Sequence, residues 1–331
     1  MDFKLNFKML EIARHFRKLT QGQLSLQTNT ISQSKISKIK NEQLTFDIQD
    51  GEIFASALNL PLDFFFKRFD PYENLDSVIQ CTTKSMTRYK LIADLKILFN
   101  GINSLMEFSK IQSELKVLRL TGKSPSQAAK EVRAALSIPA TEINILDFLL
   151  NSNIIIHQYK SSDDKFEGMG WATSSKIDVV ILNMNMDNLK KKEVLVREIG
   201  RLALNERHSD SGSLNMFTQE FLLPVELVNS DLKNLTFHKL QYLSDKWQLS
   251  SNFIIARASE LNLIKDNTYR YLQLEVGRRK KSNRLTSHQA LKVNNFNRKL
   301  YDVRLGKNYI NEDLASETGL YIKDFKDLFL I

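Results

Sequence analysis

Leu19-Thr20-Gln21-Gly22-Gln23-Leu24-Ser25-Leu26-Gln27-Thr28-Asn29-Thr30-Ile31-Ser32-Gln33-Ser34-Lys35-Ile36-Ser37-Lys38-Ile39-Lys40 carries two helix-start signals in close succession. Thr20 and Ser32 are hydroxyl residues suited to accept from the free N–H groups at a helix N-terminus. The first helix therefore starts at Gln21, Asn29-Thr30-Ile31 forms a turn, and the second helix runs to about Asn41. Ile36 and Ile39 lie three apart, share one helix face and point into a core with Leu24. Gln33, Ser34, Lys35, Ser37 and Lys38 are left facing outward. Amides, hydroxyls and lysines are what a helix needs to read base edges and phosphates, and they also suit a solvated surface helix that binds nothing. Gln21, at the start of the preceding helix, can reach a phosphate with the help of that helix's N-terminus.

On either side the helical spacing continues. Met9, Ile12, Ala13, Phe16 and Leu19 define a helix from Lys8 to Leu19, and further helices are expected over Asp47–Leu58 and Asp63–Phe66. The pattern of residues 19–43 resembles the lambda-repressor-like (Cro/CI, or XRE) helix-turn-helix, including Thr20-Gln21, a small Ser25 where two helices cross, and Ser32-Gln33-Ser34. It covers about the first 70 residues and departs by one extra turn residue, by Lys40 in place of the usual Glu and by Glu42 in place of the usual Gly. The resemblance implies a double-stranded DNA partner and a homodimer.

The chain has 331 residues, long enough for two to four cooperating units. Its 42% hydrophobic and 26% charged content is that of an ordinary globular protein, and 11 Gly with 5 Pro leave little room for disordered linkers. A single Cys81 excludes an internal disulfide and a cysteine-rich zinc site. No apolar stretch suits a signal peptide or a membrane span, so the expected location is the cytoplasm, with no membrane partner. The net charge of +9 is local: residues 1–45 hold 8 Lys/Arg against 3 Asp/Glu, residues 265–310 hold 12 against 3, and the remainder is net acidic. Such clusters fit the docking of a polyanion or a plain solvated surface.

Residues 71–123 read as long helices with no catalytic pattern, a helical connector. From Ser124 the chain restarts with capped amphipathic helices. Ile154-Ile155-Ile156, Gly168-Met169-Gly170-Trp171 and Asp178-Val179-Val180-Ile181-Leu182 then predict a small sheet. A helix follows over Leu189–Glu206, and the chain from Pro224 is helical again, with no internal repeat of fixed period. The expected fold class is mainly α with an α+β portion.

The Leu189–Glu206 helix contains Arg197-Glu198-Ile199-Gly200-Arg201. In the zinc-peptidase motif His-Glu-x-x-His the two imidazoles meet on one helix face and share a metal ion, while the Glu activates its water. Guanidinium offers donors only and no lone pair. The segments SPSQAAKEVRAAL, DVVILNMN, NMFTQEFLLP (215–224) and LSDKWQLSSNFIIARASELNLI resemble, in order, those of the ImmA/IrrE family, in which an XRE domain is often fused to a gluzincin-like metallopeptidase domain. Carried over singly, the two His ligands fall on Arg197 and Arg201, the third, acidic ligand on Ser213, and the general base on Glu198. The resemblance thus implies a remnant Glu198 with no metal, no cofactor and no catalysis. His208 and Asp210 do not reproduce the i, i+4 pairing.

The expected organisation is residues 1–70 as the helix-turn-helix, 71–123 as the connector, 124–230 as the pseudopeptidase domain and 231–331 as a helical C-terminal region. Arg197 and Arg201 fit either an internal ion pair or a site for a small anionic ligand. The expected function is a DNA-binding regulator whose second domain senses, dimerises or binds a protein partner. The alternatives are a zinc endopeptidase cleaving a repressor and an antitoxin-type interaction protein.

Overall fold

A computed structural model describes residues 5–67, 85–109, 119–139, 141–142, 145–161, 163–172, 178–205, 211–282 and 294–330. Over these residues the protein is mainly helical, with one small mixed sheet. Five elements open the chain: α1 (Phe7–Phe16), α2 (Gln21–Thr28), α3 (Gln33–Lys40), α4 (Ile48–Leu58) and a 3-10 turn (Leu62–Phe66). Then follow α5 (Met86–Ser109), α6 (Pro125–Ala135) and α7 (Leu146–Asn151), and the strands β1 (Ile155–Tyr159), β2 (Gly168–Ala172) and β3 (Asp178–Asn183). After the sheet come α8 (Asn188–Leu204), α9 (Ser211–Leu222), α10 (Val225–Leu232), α11 (Phe237–Trp247), α12 (Ser251–Glu260) and α13 (Asp266–Ser282). The chain closes with α14 (Phe296–Lys307), α15 (Asn311–Thr318) and α16 (Ile322–Phe329). Among the described residues no helix is long and apolar enough to cross a membrane.

β3 is the central strand, parallel to β1 and antiparallel to β2, and all six of its residues are buried. Because side chains alternate across a strand, the sheet feeds two cores. Ile155, Tyr159, Met169, Trp171, Val179 and Ile181 belong to one, with α1, α4, α5 and α14–α16. Ile154, Ile156, Val180 and Leu182 belong to the other, with α6–α13. The helix α5, set apart by the sequence as connector, is itself core: Leu91, Leu95, Leu98, Ile102 and Leu105 are fully buried. The region from 231 onward divides, its first helices joining the second core and its last three the first.

Polar groups tie the last helices in. The outer edge of β1 is covered by Asn295, whose N–H donates to the Ile156 carbonyl (3.0 Å) while its Oδ1 accepts from the Ile156 N–H (2.7 Å). An edge strand that would otherwise present free backbone groups is thereby blunted. Arg17, the C-cap of α1, forks onto both oxygens of Asp324 on α16 (2.7 and 2.6 Å) and also donates to the carbonyls of Leu58 and Asn59 at the end of α4. His157 on β1 is fully buried against Phe296 and Phe329, and its Nε2–H donates to the Leu328 carbonyl at 2.8 Å.

Burial pushes the His157 imidazole down from 6.5 to about 4. The unfolded chain therefore binds a proton that the folded one refuses, and the stability gained from a neutral His157 is complete above pH 6.5 and lost as pH falls toward 4. The shift corresponds to roughly 3 kcal/mol at its full extent. In urea denaturation at stepped pH, His157→Gln should show a distinctly shallower loss of stability between pH 6.5 and 4 than the unmodified protein.

Candidate nucleic-acid interface and the buried ion network on α8

The α2–α3 pair is held by local chemistry. Thr20 accepts from the Gln23 N–H (3.2 Å) and the Gln23 amide oxygen accepts from the Thr20 N–H (2.8 Å), a reciprocal cap that sets the start of α2. Asn29 closes α2 in the left-handed region at φ 56°. The Ser25 hydroxyl then donates to the Ile31 carbonyl (2.7 Å) and the Thr28 hydroxyl to the Ser25 carbonyl (2.9 Å), which pins the turn. Ser32 caps α3 by accepting from the Lys35 N–H. Leu24, Ile36 and Ile39 are buried between the helices. α3 ends at Lys40, and Glu42, at the position where the resembled family has Gly, takes φ 59°.

Gln33, Ser34 and Lys38 are exposed, and Gln21 and Ser37 are half-buried. Lys35 is half-buried, and its ammonium donates to Asp50 Oδ1 at 2.6 Å, with Asp50 itself buried. It links α3 to α4 through this ion pair. Helical spacing alone could not reveal this, since the partner lies fifteen residues away.

Gln21 and Gln33 line an open cleft of about 560 Å³ together with Tyr89 of α5 and His15 of α1. The two rings stack with centroids 4.7 Å apart. Burial, with the charge of Arg14 beside it, pushes His15 down to about 4, so the ring is neutral and its Nε2 accepts from Arg14 Nη2 at 2.8 Å. Glu11 pairs with both Arg14 (2.9 Å) and Lys40 (3.3 Å). Burial alone would raise its carboxyl, but the bond from Arg14 and the charges of Lys40 and Arg14 bring it below the usual range.

On α8, Glu198 is buried, and its carboxylate accepts from three donors. These are Arg201 Nε (2.9 Å), Arg197 Nε (3.3 Å) and the backbone N–H of Gly170 on β2 (3.1 Å). A side chain at Gly170 would begin 3.0 Å from the Glu198 carbonyl oxygen, so glycine there permits β2 to approach α8. Arg197 reaches on to Glu167 (2.9 Å), which also pairs with Lys190 (3.3 Å). Burial opposes the charge of Arg197, but Glu198 and Glu167 outweigh it and hold the guanidinium's affinity for its proton above the ordinary value. Arg197 and Arg201 thus form the internal ion pairs that were one of the two expected arrangements. Glu167 and Gly170 escaped the sequence reading, where Gly168-Met169-Gly170 registered only as a turn and strand signal.

Ser213 lies on α9, one turn before Phe217, whose ring packs on Gly200 of α8. The donor set Arg197, Arg201 and Ser213 does not fit a zinc ion, because two of its members present protons rather than lone pairs. Among the described residues no three His, Cys, Asp or Glu side chains are grouped to hold a metal. Cys81, His208 and Asp210 lie outside the described residues, as do the side chains of Arg279, Lys280 and Lys281. No family model, curated protein or solved structure matches the chain.

Removing the shared anion should expose the two cations to each other. Glu198→Ala should destabilise the fold by about 3–5 kcal/mol, as breaking a buried ion network does. Glu198→Gln, which keeps an acceptor oxygen for the Gly170 N–H, should cost less. Equal denaturation midpoints for Glu198→Ala and the unmodified protein would show that the network contributes nothing.

Proposed function

We propose that the protein is a sequence-specific regulator that binds duplex DNA through α2 and α3. The observation that carries this reading is the outer face of α3, where Gln33, Ser34 and Lys38 are exposed and Ser37 half-exposed on a doubly capped helix pair that buries Leu24, Ile36 and Ile39. In this reading α3 enters the major groove, the Gln33 amide pairs with an adenine edge, and Ser34 and Ser37 contact bases or phosphates. Lys38 neutralises a phosphate, and Gln21 joins the free N–H groups of α2 at another. Lys35 stays on Asp50 and has no part in reading bases. The unit around α8 acts as an inactive metallopeptidase-like scaffold that supports dimer contacts or a partner surface. Glu198 there accepts from two guanidiniums and an amide, which is the opposite of what a general base requires.

Selection from a random duplex pool should yield a defined motif bound with a steep salt dependence. Gln33→Ala with Ser34→Ala should weaken the selected site by about 1–3 kcal/mol for each lost base contact while leaving bulk DNA binding nearly unchanged. Lys38→Ala should lower the slope of log affinity against log salt by about 0.9. Absence of any duplex binding at low salt would refute the proposal.

The endopeptidase alternative is tested by elemental analysis of the purified protein. We expect no stoichiometric zinc, and no proteolysis that Glu198→Gln abolishes. Tightly bound zinc with Glu198-dependent cleavage would reverse the assignment.

A further inference from the structure

The last two helices repeat the design of α2 and α3. α15 has eight residues, as α2 has, and α16 has eight, as α3 has. The turn between them, Gly319-Leu320-Tyr321, is one residue shorter than Asn29-Thr30-Ile31-Ser32. Both turns open on a residue in the left-handed region, Asn29 at φ 56° and Gly319 at φ 72°.

The buried positions coincide in order: Leu314, Leu320, Phe325 and Leu328 stand where Leu24, Ile31, Ile36 and Ile39 stand, and all eight are buried. Ala315 occupies the place of the small Ser25 at the helix crossing. Thr318, like Thr28, donates its hydroxyl to the carbonyl three residues back, at 2.7 Å against 2.9 Å. The N-cap amide of Ile310 donates to Asp313 (2.9 Å), as that of Thr20 donates to Gln23 (2.8 Å). Even the tethered charge recurs. Asp324 stands where Lys35 stands, and each is held in an ion pair with a residue of the N-terminal helices, Arg17 at the end of α1 and Asp50 on α4 respectively.

Two short helices joined by a tight glycine turn are common in helical proteins. Agreement in buried positions, left-handed residue, hydroxyl bond, N-cap bond and tethered charge is far more specific. It leaves Tyr321, Lys323, Lys326 and Asp327 in the places of Ser32, Ser34, Ser37 and Lys38, and all four are exposed. Arg17, which holds Asp324 on the inner side of α16, lies three residues before Thr20, the cap of α2. α16 is thereby tied to the C-terminal end of α1, the helix that leads into α2.

We propose that α15 and α16 form a second helix-turn-helix, and that α16 contacts duplex DNA next to the site read by α3, so that one chain spans a bipartite site. The inference rests on the DNA-binding reading of α2 and α3. The two units divide the work unequally. Exposed Glu312 and Asp313 in the first turn of α15 repel phosphate, so this unit lacks the N-terminal phosphate seat that Gln21 provides. Lys323 and Lys326 supply the attraction instead, and the Tyr321 hydroxyl can donate to a phosphate oxygen.

The test uses the full chain and duplexes selected by the unmodified protein from a random pool. Lys323→Gln with Lys326→Gln alters two exposed side chains, so the thermal melt should not move. The salt slope should fall by about 1.8, two phosphate contacts at about 0.9 each. A hydroxyl-radical footprint should lose protection on one flank while the motif sensitive to Gln33→Ala remains protected. If the unmodified protein binds DNA but the double variant keeps the same slope and footprint, the second unit makes no DNA contact and this proposal falls alone. A variant that keeps the footprint but changes the sedimenting mass assigns α16 to contacts between copies and also overturns it. Failure of the unmodified protein to bind any duplex removes both readings together.

Discussion

A sheet with apolar residues on both faces cannot leave either face in water, and this constraint organises the molecule. Val179 and Ile181 point one way from β3, Val180 and Leu182 the other, and all four are fully buried. Two helical layers are therefore required, and no single stretch of chain supplies both. The second layer comes mostly from the helices that follow the sheet, whereas the first is assembled from α1, α4 and α5 before the sheet and α14–α16 at the far end. The α2–α3 pair at the start of the chain consequently shares its core with the last helices.

That shared core explains where the chain places its costly polar groups. Arg17 to Asp324, Lys67 to the Glu317 carbonyl, His157 to the Leu328 carbonyl and Asn295 along β1 each join segments more than a hundred residues apart. Apolar contacts bury area without choosing one orientation, while a forked guanidinium or an amide paired on both sides is satisfied in a single geometry. The ends of the chain are thus fixed by directional bonds laid over a nondirectional core.

Legibility in the sequence followed the range of the interaction. Helix starts at Thr20 and Ser32, the turn at Asn29-Thr30-Ile31, the three strands and the helix carrying Arg197 and Arg201 are set by neighbours within a few residues, and each is readable from spacing and residue type. The pairing of Lys35 with Asp50, the Gly170 N–H aimed at Glu198 and the seating of α5 in the core all depend on segments brought together only by the fold. No periodicity encodes them. The repeat of α2–α3 in α15–α16 lay between these cases: its apolar pattern is in the sequence, but the single-residue difference in the turn and the unrelated exposed residues hide it from any search for a fixed period.

The ion pairs on α8 show how two arginines can flank a buried carboxylate on one helix. Arg197 and Arg201 lie four residues apart on the same helix, so the buried Glu198 has two cationic partners. Its remaining acceptor capacity is met by the Gly170 N–H, and Glu167 balances the surplus charge of Arg197. A neutral residue at either position would leave Glu198 under-compensated in a nearly solvent-free site, where an unpaired carboxylate is strongly unfavourable. The charge at these positions is therefore under structural constraint, and Glu198 is explained by the ion network it joins.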